Sequence, residues 1–472
     1  VRRLREIPKG VVALALVVCL PLTLLSACSS SSSKAAGGDS SVEQRTVFPV
    51  GISSFTVDDP TRPTPVTAAQ PGSPSRTMQV RIWYPAVSPS LESVRDDDFA
   101  SIPDPTPQFD APPATGSGPF PLIVFGHGLG ATPAQYGDLL STWAAAGYVV
   151  AAPAFPLSNE DSPGVPDAGD VANQSGDISA VITRAIELSS SAEGRALAGM
   201  VDAERIGVAG HSNGGITVAG LIGRSCCIDD RVDAAIIIAG TSQLLPGTTF
   251  DWSRTPPLLI VHGEDDKTIP FDEGVRLFMN ARSPKGLFTL IDSDHNSYLF
   301  SDSKVFPITA KTTLDFFNGY VKSDPTAIAA LAGDEKPGVA KMTFVAGPDQ
   351  SVVINPTLPT MPSRTATVTP SMQLRSGQSV RVQWSGFLPG RVVTAVQCSG
   401  GGLGGTSSCD LVTGKVLNDD PTGSGSLELE IVVGKVGNGF CDADHNDCVV
   451  IVNDASLQDE EANIRIPITF AR

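Results

Sequence analysis

Between residues 46 and 321 the chain alternates short, unbroken apolar runs with segments of helical period, and this pattern restricts its fold more than any other feature. Residues 78–84 alternate apolar and polar and read as a strand. Residues 121–125, 148–152, 205–209, 234–239, 258–261 and 287–291 are apolar runs of strand length. Helical segments are expected at 134–146, 176–190, 213–222, 272–281 and 309–320. A strand that is apolar on both sides has to be covered on both faces, and helices alternating with such strands make the sheet mainly parallel. The expected class is therefore α/β, a mainly parallel sheet flanked by helices. Residues 96–118, rich in Asp, Pro and Ser, read as a surface loop, with a partial lid as the alternative.

The 472 residues exceed one ordinary core, so further units are expected. Residues 323–364, rich in Pro, Ala, Gly and Thr, read as a linker. Residues 365–472 show short alternating strands, many glycines and almost no helical period, the pattern of a β-sandwich. At the other end, Arg2, Arg3, Arg5 and Lys9 precede an uncharged apolar run over 11–25 and then Leu25-Ser26-Ala27-Cys28. A basic start, a short apolar core and small residues describe a secretory signal over residues 1–27. A single membrane-spanning anchor is the alternative, but the run is short for a span and no basic cluster follows it. The Ser/Gly/Ala-rich segment that follows makes 28–45 a flexible tether and leaves 46–322 as the catalytic unit.

The formal net charge of −17 repels phosphate backbones and argues against nucleic acid as a partner. Export implies an oxidising compartment. Cys398, Cys409, Cys441 and Cys448 allow three pairings, of which the local bridges Cys398–Cys409 and Cys441–Cys448 are the simplest. Cys226 and Cys227 are adjacent, and either a vicinal disulfide or two buried thiols fits them.

The chemistry centres on Gly210-His211-Ser212-Asn213-Gly214, a single Gly-x-Ser-x-Gly between the strand at 205–209 and the helix at 213–222. A serine on such a sharp turn is raised above the strand ends, the glycines leave room for the crowded backbone, and the helix start favours negative charge. Its hydroxyl still needs a base. His295 lies in Asp292-Ser293-Asp294-His295-Asn296, late enough to follow an acid, whereas His127, His211 and His262 come too early and His445 lies outside this unit. The acid is expected in His262-Gly263-Glu264-Asp265-Asp266-Lys267-Thr268-Ile269-Pro270, where Asp265 and Asp266 are both available. A tetrahedral oxyanion needs two N–H donors. One is the amide of Asn213; the other is assigned to Leu129 in Gly126-His127-Gly128-Leu129-Gly130.

Oxyanion loop, elbow, acid loop and histidine loop, in that order, resemble the α/β-hydrolase superfamily over residues 46–322. The resemblance implies Ser212 as nucleophile, His295 as base and, through the spacing His-Gly-x-x-Asp-x-x-Ile-Pro, Asp266 as acid. Within the superfamily, Val50-Gly51, Arg76 and Arg81-Ile82-Trp83-Tyr84-Pro85-Ala86 look like the platelet-activating-factor acetylhydrolase and bacterial polyesterase–lipase group. Likeness to that group implies hydrolysis of carboxylic esters without metal or cofactor. Gly240-Thr241-Ser242-Gln243 departs from the polyester hydrolases, with no tryptophan platform. Leu25-Ser26-Ala27-Cys28 is similar to the bacterial lipobox, which implies cleavage before Cys28, a lipid on its thiol and anchoring at the extracellular face of the cell membrane.

Residues 365–472, with Gly377-Gln378-Ser379-Val380-Arg381-Val382, Gly386-Phe387-Leu388-Pro389-Gly390 and Val396-Gln397-Cys398, resemble the neocarzinostatin family. That resemblance implies a seven-stranded immunoglobulin-like sandwich with two short disulfide loops; its ligand is not carried over, since fold does not fix function. The acidic stretch from Asp442 to Asp447 reads as a solvated loop rather than a calcium site. The expected partners are a small-molecule or lipid-like ester substrate and, through the lipid anchor, a membrane. An amidase or peptidase on the same fold, and a small-ligand-binding protein built on the sandwich, are the competing readings.

Overall fold

The computed structural model describes residues 44–471 apart from 68–69, 88–91, 96–105, 243–249, 348–363, 388–390, 403–407, 411–412, 421–422, 446 and 454–462. The expected signal segment, Cys28 and most of the expected tether lie outside the described residues. The chain opens with β1 (Gln44–Val47), β2 (Val50–Asp59), β3 (Arg76–Pro85), β4 (Glu92–Arg95), β5 (Gln108–Phe109) and β6 (Phe120–Gly126). Strands and helices then alternate: α1 (Gly137–Ala145), β7 (Val149–Pro153), α2 (Val171–Ser189), β8 (Val201–His211), α3 (Asn213–Gly223), β9 (Ala234–Ile238), β10 (Leu258–Gly263), α4 (Phe271–Asn280) and β11 (Lys285–Leu290). Helices α5 (Phe306–Tyr320) and α6 (Pro325–Leu331) precede β12 (Ala340–Val345).

One sheet takes the order β12-β11-β10-β9-β8-β6-β7-β3-β2-β5. Its six central strands, β7, β6, β8, β9, β10 and β11, run parallel. β3 and β12 pair antiparallel on either side of them. Side chains along each central strand alternate between two cores. Leu122 and Val124 of β6 belong to the core that includes α2, α3 and α4, whereas Ile123 and Phe125 belong to the one that includes α1, α5 and α6. Burial on both faces is why these strands read as unbroken apolar runs.

The expected boundary at 322 is corrected. Within 323–364, expected as linker, Asp324 caps α6 by accepting from the N–H groups of Thr326 and Ala327, with Pro325 in the first turn. β12 then joins the large sheet, in register from Lys285↔Val345 to Leu290↔Ala340. At the other end, β1 begins at Gln44, inside the expected tether, and pairs with β4. Within 96–118, β5 runs beside β2 and residues 115–117 form a short 3-10 turn.

The C-terminal part is all β: β13 (Thr365–Thr369), β14 (Ser379–Ser385), β15 (Arg391–Cys398), β16 (Lys415–Asp420), β17 (Gly425–Glu430), β18 (Gly434–Val436), β19 (Gly439–Cys441), β20 (Val449–Asn453) and β21 (Ile464–Pro467). Antiparallel sheets of order β13-β14-β17 and β16-β15-β20-β21 share one core, and β18 and β19 form a hairpin. β14 alternates exposed and buried residues strictly. Its inward Val380, Val382 and Trp384 join Val393, Ala395, Val450 and Val452 of the second sheet, as in a two-layer sandwich. Cys398–Cys409 and Cys441–Cys448 are bridged as the local pairing requires, and Cys226–Cys227 form a vicinal disulfide.

Candidate active site

Every loop the sequence singles out leaves the same end of the large sheet. Gly126 at the end of β6 is the register partner of Gly210 at the end of β8. Gly263 at the end of β10 is the partner of Leu290 at the end of β11. Oxyanion loop and elbow thus emerge side by side, as do acid loop and histidine loop, with β9 between the pairs. The strand order also turns between β6 and β8, the place where an open α/β sheet offers a crevice beyond its carboxyl ends.

At the elbow Ser212 has φ 54° and ψ −119°, a backbone state that non-glycine residues adopt at a cost of about 1–3 kcal/mol. Close packing imposes it. A Cβ at Gly210 would collide with the backbone of Gly214, and one at Gly214 with the backbone of Gly126. The amide of Ser212 donates to the carbonyl of Ile238 at 2.9 Å, fixing the turn to β9. Asn213 opens α3, so its amide is one of the donors a helix start leaves without an intrahelical acceptor. Around the second expected donor, the amides of Gly128, Gly130 and Ala131 are engaged by Tyr136, Ser158 and Gly128. The Leu129 amide takes no partner among the described residues.

Asp266 and His295 are brought together: His295 Nδ1 lies 2.6 Å from Asp266 Oδ2, and both side chains are buried. The other carboxylate oxygen accepts from the amides of Thr268 and Ile269 at 2.8 and 2.9 Å. Burial works to raise the pKa of Asp266, but hydrogen bonds from His262 and His295 and their charge outweigh it, holding the carboxyl well below the usual carboxylate range. Asp265 is exposed, and the structure thereby separates the two aspartates. Ser212 is partly exposed at the turn, and its neighbour His211 lies with its ring 4.7 Å from that of His295. Among the described residues no hydrogen bond joins Ser212 Oγ to His295.

Three further histidines hold the loops. His262 Nε2 sits 2.7 Å from the carbonyl of Ile269 and 3.3 Å from Asp266 Oδ2, so the N–H it presents braces the acid. His127 Nε2 accepts from the amide of Phe155 at 3.1 Å, which leaves its Nδ1–H to donate to the carbonyl of Gly128 at 2.7 Å. Burial pushes the His127 imidazole down to about 4. His211 lies between Tyr136 Oη and the carbonyl of His295, each 2.9 Å from a ring nitrogen.

Sequence reasoning missed one more group. Gln174 of α2, fully buried, accepts from Asn213 Nδ2 at 3.2 Å and Thr217 Oγ1 at 2.6 Å and donates to Ser158 Oγ at 2.7 Å. The carbonyl of Ser158 in turn accepts from Gly130, so one amide side chain links elbow and oxyanion loop. Nothing in the pattern around residue 174 signals this. Arg76, buried in β3, holds α2 by bonding Asp177 at 2.6 Å and Asp170 at 2.7 Å. Losing one partner of a buried ion pair costs about 3–5 kcal/mol, so Arg76 is a structural anchor.

Comparison with known proteins agrees with this architecture. Residues 90–238 match the family model described as Chlorophyllase, and residues 366–470 match that of the Neocarzinostatin family. The chain is 29% identical over 115 residues to the Uncharacterized protein YfhR of Escherichia coli (strain K12), a stretch that spans 20% of this chain and 39% of that protein. The molecule therefore carries an α/β-hydrolase fold followed by a neocarzinostatin-like β domain. The first match takes in the oxyanion loop and the elbow and ends before Asp266 and His295.

Proposed function

We propose that this chain is an exported serine hydrolase of carboxylic esters, with Ser212 as nucleophile, His295 as general base and Asp266 as the acid that orients it. The observation that carries the reading is the buried 2.6 Å pair of His295 and Asp266 at the sheet end that also presents the strained Ser212. His295 Nδ1–H donates to Asp266, which leaves Nε2 bare to take the serine proton. Ser212 Oγ attacks the acyl carbon as its proton passes to His295. The carbonyl oxygen gains the negative charge and is received by the amides of Leu129 and Asn213. Collapse expels the alcohol, which takes the proton from His295, and leaves an ester on Ser212. Water then repeats the sequence and releases the acid.

Three disulfides fit an oxidising, exported setting. Anchoring through a lipid on Cys28 rests on the sequence alone. It is tested by labelling cells with a fatty-acid analogue: Cys28→Ala should lose the label and leave the membrane fraction, and a label that survives the change sinks the anchor.

The esterase reading is tested with p-nitrophenyl esters of graded chain length beside p-nitroanilides, on the full chain. Esters should turn over and anilides should not; the reverse would make the protein an amidase. A fluorophosphonate should label the wild type and not Ser212→Ala.

A further inference from the structure

An unbroken chain of hydrogen bonds crosses the site beneath Ser212. The amide of Gly128 lies 3.0 Å from Tyr136 Oη, Tyr136 Oη lies 2.9 Å from His211 Nδ1, and His211 Nε2 lies 2.9 Å from the carbonyl oxygen of His295. Donor logic leaves one arrangement. The carbonyl can only accept, so His211 Nε2 carries hydrogen. The Gly128 amide can only donate, so the tyrosine oxygen accepts there and sends its own hydrogen to a bare His211 Nδ1. His211 is thus neutral, in a single tautomer.

Both side chains are buried, Tyr136 at 5% exposure and His211 at 2%. A Cβ at Gly128 would press on Tyr136 Oη, His211 Nδ1 and Ser212 Cβ together, so these groups meet at one point. The titratable groups facing His211 are Tyr136, His295, Asp266 and His262; burial and the charge of His295 hold its imidazole down to about 3. Its neutral state therefore spans the pH range in which a histidine base works.

We propose that Tyr136 and His211 are positioning residues for the hydrolysis, setting the histidine loop and the oxyanion loop at fixed distances from the nucleophile. This rests on the esterase reading above. His211 is bonded covalently to Ser212, so its imidazole forms a short crossbar from the elbow to the backbone of His295. Tyr136 extends the crossbar to Gly128, one residue before the Leu129 donor. The chain therefore ties the serine oxygen, the base and one oxyanion donor to a common frame. A misplacement of about 1 Å among such groups lowers rate about a hundredfold.

The test uses the full chain, with Tyr136→Phe, His211→Leu, His211→Gln and the double variant Tyr136→Phe/His211→Leu. Active sites are counted with a fluorophosphonate, kcat and KM are measured on p-nitrophenyl butyrate, and thermal melts report folding. Tyr136→Phe and His211→Leu should lower kcat per titrated site about tenfold to a hundredfold, with KM moving less than threefold. His211→Gln, whose amide can donate to the same carbonyl, should recover most of the loss, and the double variant should be no slower than the worse single. Wild-type kcat per site in Tyr136→Phe and His211→Leu would overturn the proposal. So would a loss that His211→Gln fails to recover.

Nitrogen NMR of labelled histidines gives a readout free of turnover. The resonance absent from His211→Gln should report a neutral ring with hydrogen on Nε2 at pH 7, and a Nδ1–H or doubly protonated ring refutes the bridge. A wild type that resists the fluorophosphonate would sink the esterase reading itself, which separates the two failures.

Discussion

The large parallel sheet and the C-terminal sandwich are both built from short apolar strands, yet they hold themselves together differently. In the sheet region four histidines, His127, His211, His262 and His295, are buried and bonded at one end of the strands. In the sandwich the one histidine, His445, is exposed on a loop beside Asp442, and two disulfides brace the strands. The contrast follows from topology. Parallel strands joined by helices deliver all their carboxyl ends to one end of the sheet, so loops remote in sequence converge. Antiparallel strands alternate direction, so their loops are shared between both ends. Convergence is what catalysis needs, and only the first region supplies it.

If the contrast is sound, single changes in the sheet region should abolish chemistry. Ser212→Ala should reduce kcat about a millionfold on p-nitrophenyl esters, and activity near wild type would break the comparison outright. Asp266→Asn should cost about ten-thousand-fold, because the amide favours the wrong tautomer of His295, while Asp265→Asn should stay within threefold.

Acid should act on the buried network. The ordinary histidine value is 6.5, against about 4 for His127 and about 3 for His211 in the folded chain. As pH falls below 6.5 the unfolded chain binds protons that the folded one refuses, so stability declines down to about pH 4. His127 alone accounts for on the order of 3 kcal/mol. The carboxylate of Asp266, held low, adds a loss at still lower pH, below the ordinary carboxylate value. Urea unfolding followed from pH 7 to pH 4 checks the sign, and a flat profile contradicts it.

In the sandwich the double variant Cys441→Ser/Cys448→Ser should cost about 2–3 kcal/mol, read by hydrogen exchange in β18 to β20, and leave ester hydrolysis unchanged. Among the buried groups around the site, the mildest loss is expected at Gln174→Leu. It strands the partners of a buried amide, costing about 1–3 kcal/mol, with a drop in kcat of about tenfold.

The sequence made the elbow legible because its constraint is local: two glycines and a serine must sit on one turn. The strands of the sheet were equally plain, since burial on both faces writes itself as an unbroken apolar run. Asp266 was told from Asp265 only by likeness to a family; the physical difference, one carboxylate buried against two amides and two imidazoles, depends on β10 and β11 lying together. The strand inside the expected linker is invisible in the sequence for a related reason. β12 is an edge strand whose partner lies about fifty residues earlier, and composition says nothing of such a pairing. The cap of α6, Asp324 followed by Pro325, is by contrast a local signal, set within a Pro-rich stretch that otherwise reads as linker. The roles of Tyr136, His211 and Gln174 are not written in any local pattern, because each depends on at least one partner more than forty residues away.

The direction of β12 has a practical consequence. Val345 lies opposite Lys285, at the foot of β11, whereas the histidine loop leaves its head beyond Leu290. Whatever is spliced on after Val345 sets out from the far end of the sheet, about 20 Å of strand away from the histidine loop. A tag joined at Val345 therefore starts from the opposite end of the sheet to the loops that carry Ser212, Asp266 and His295.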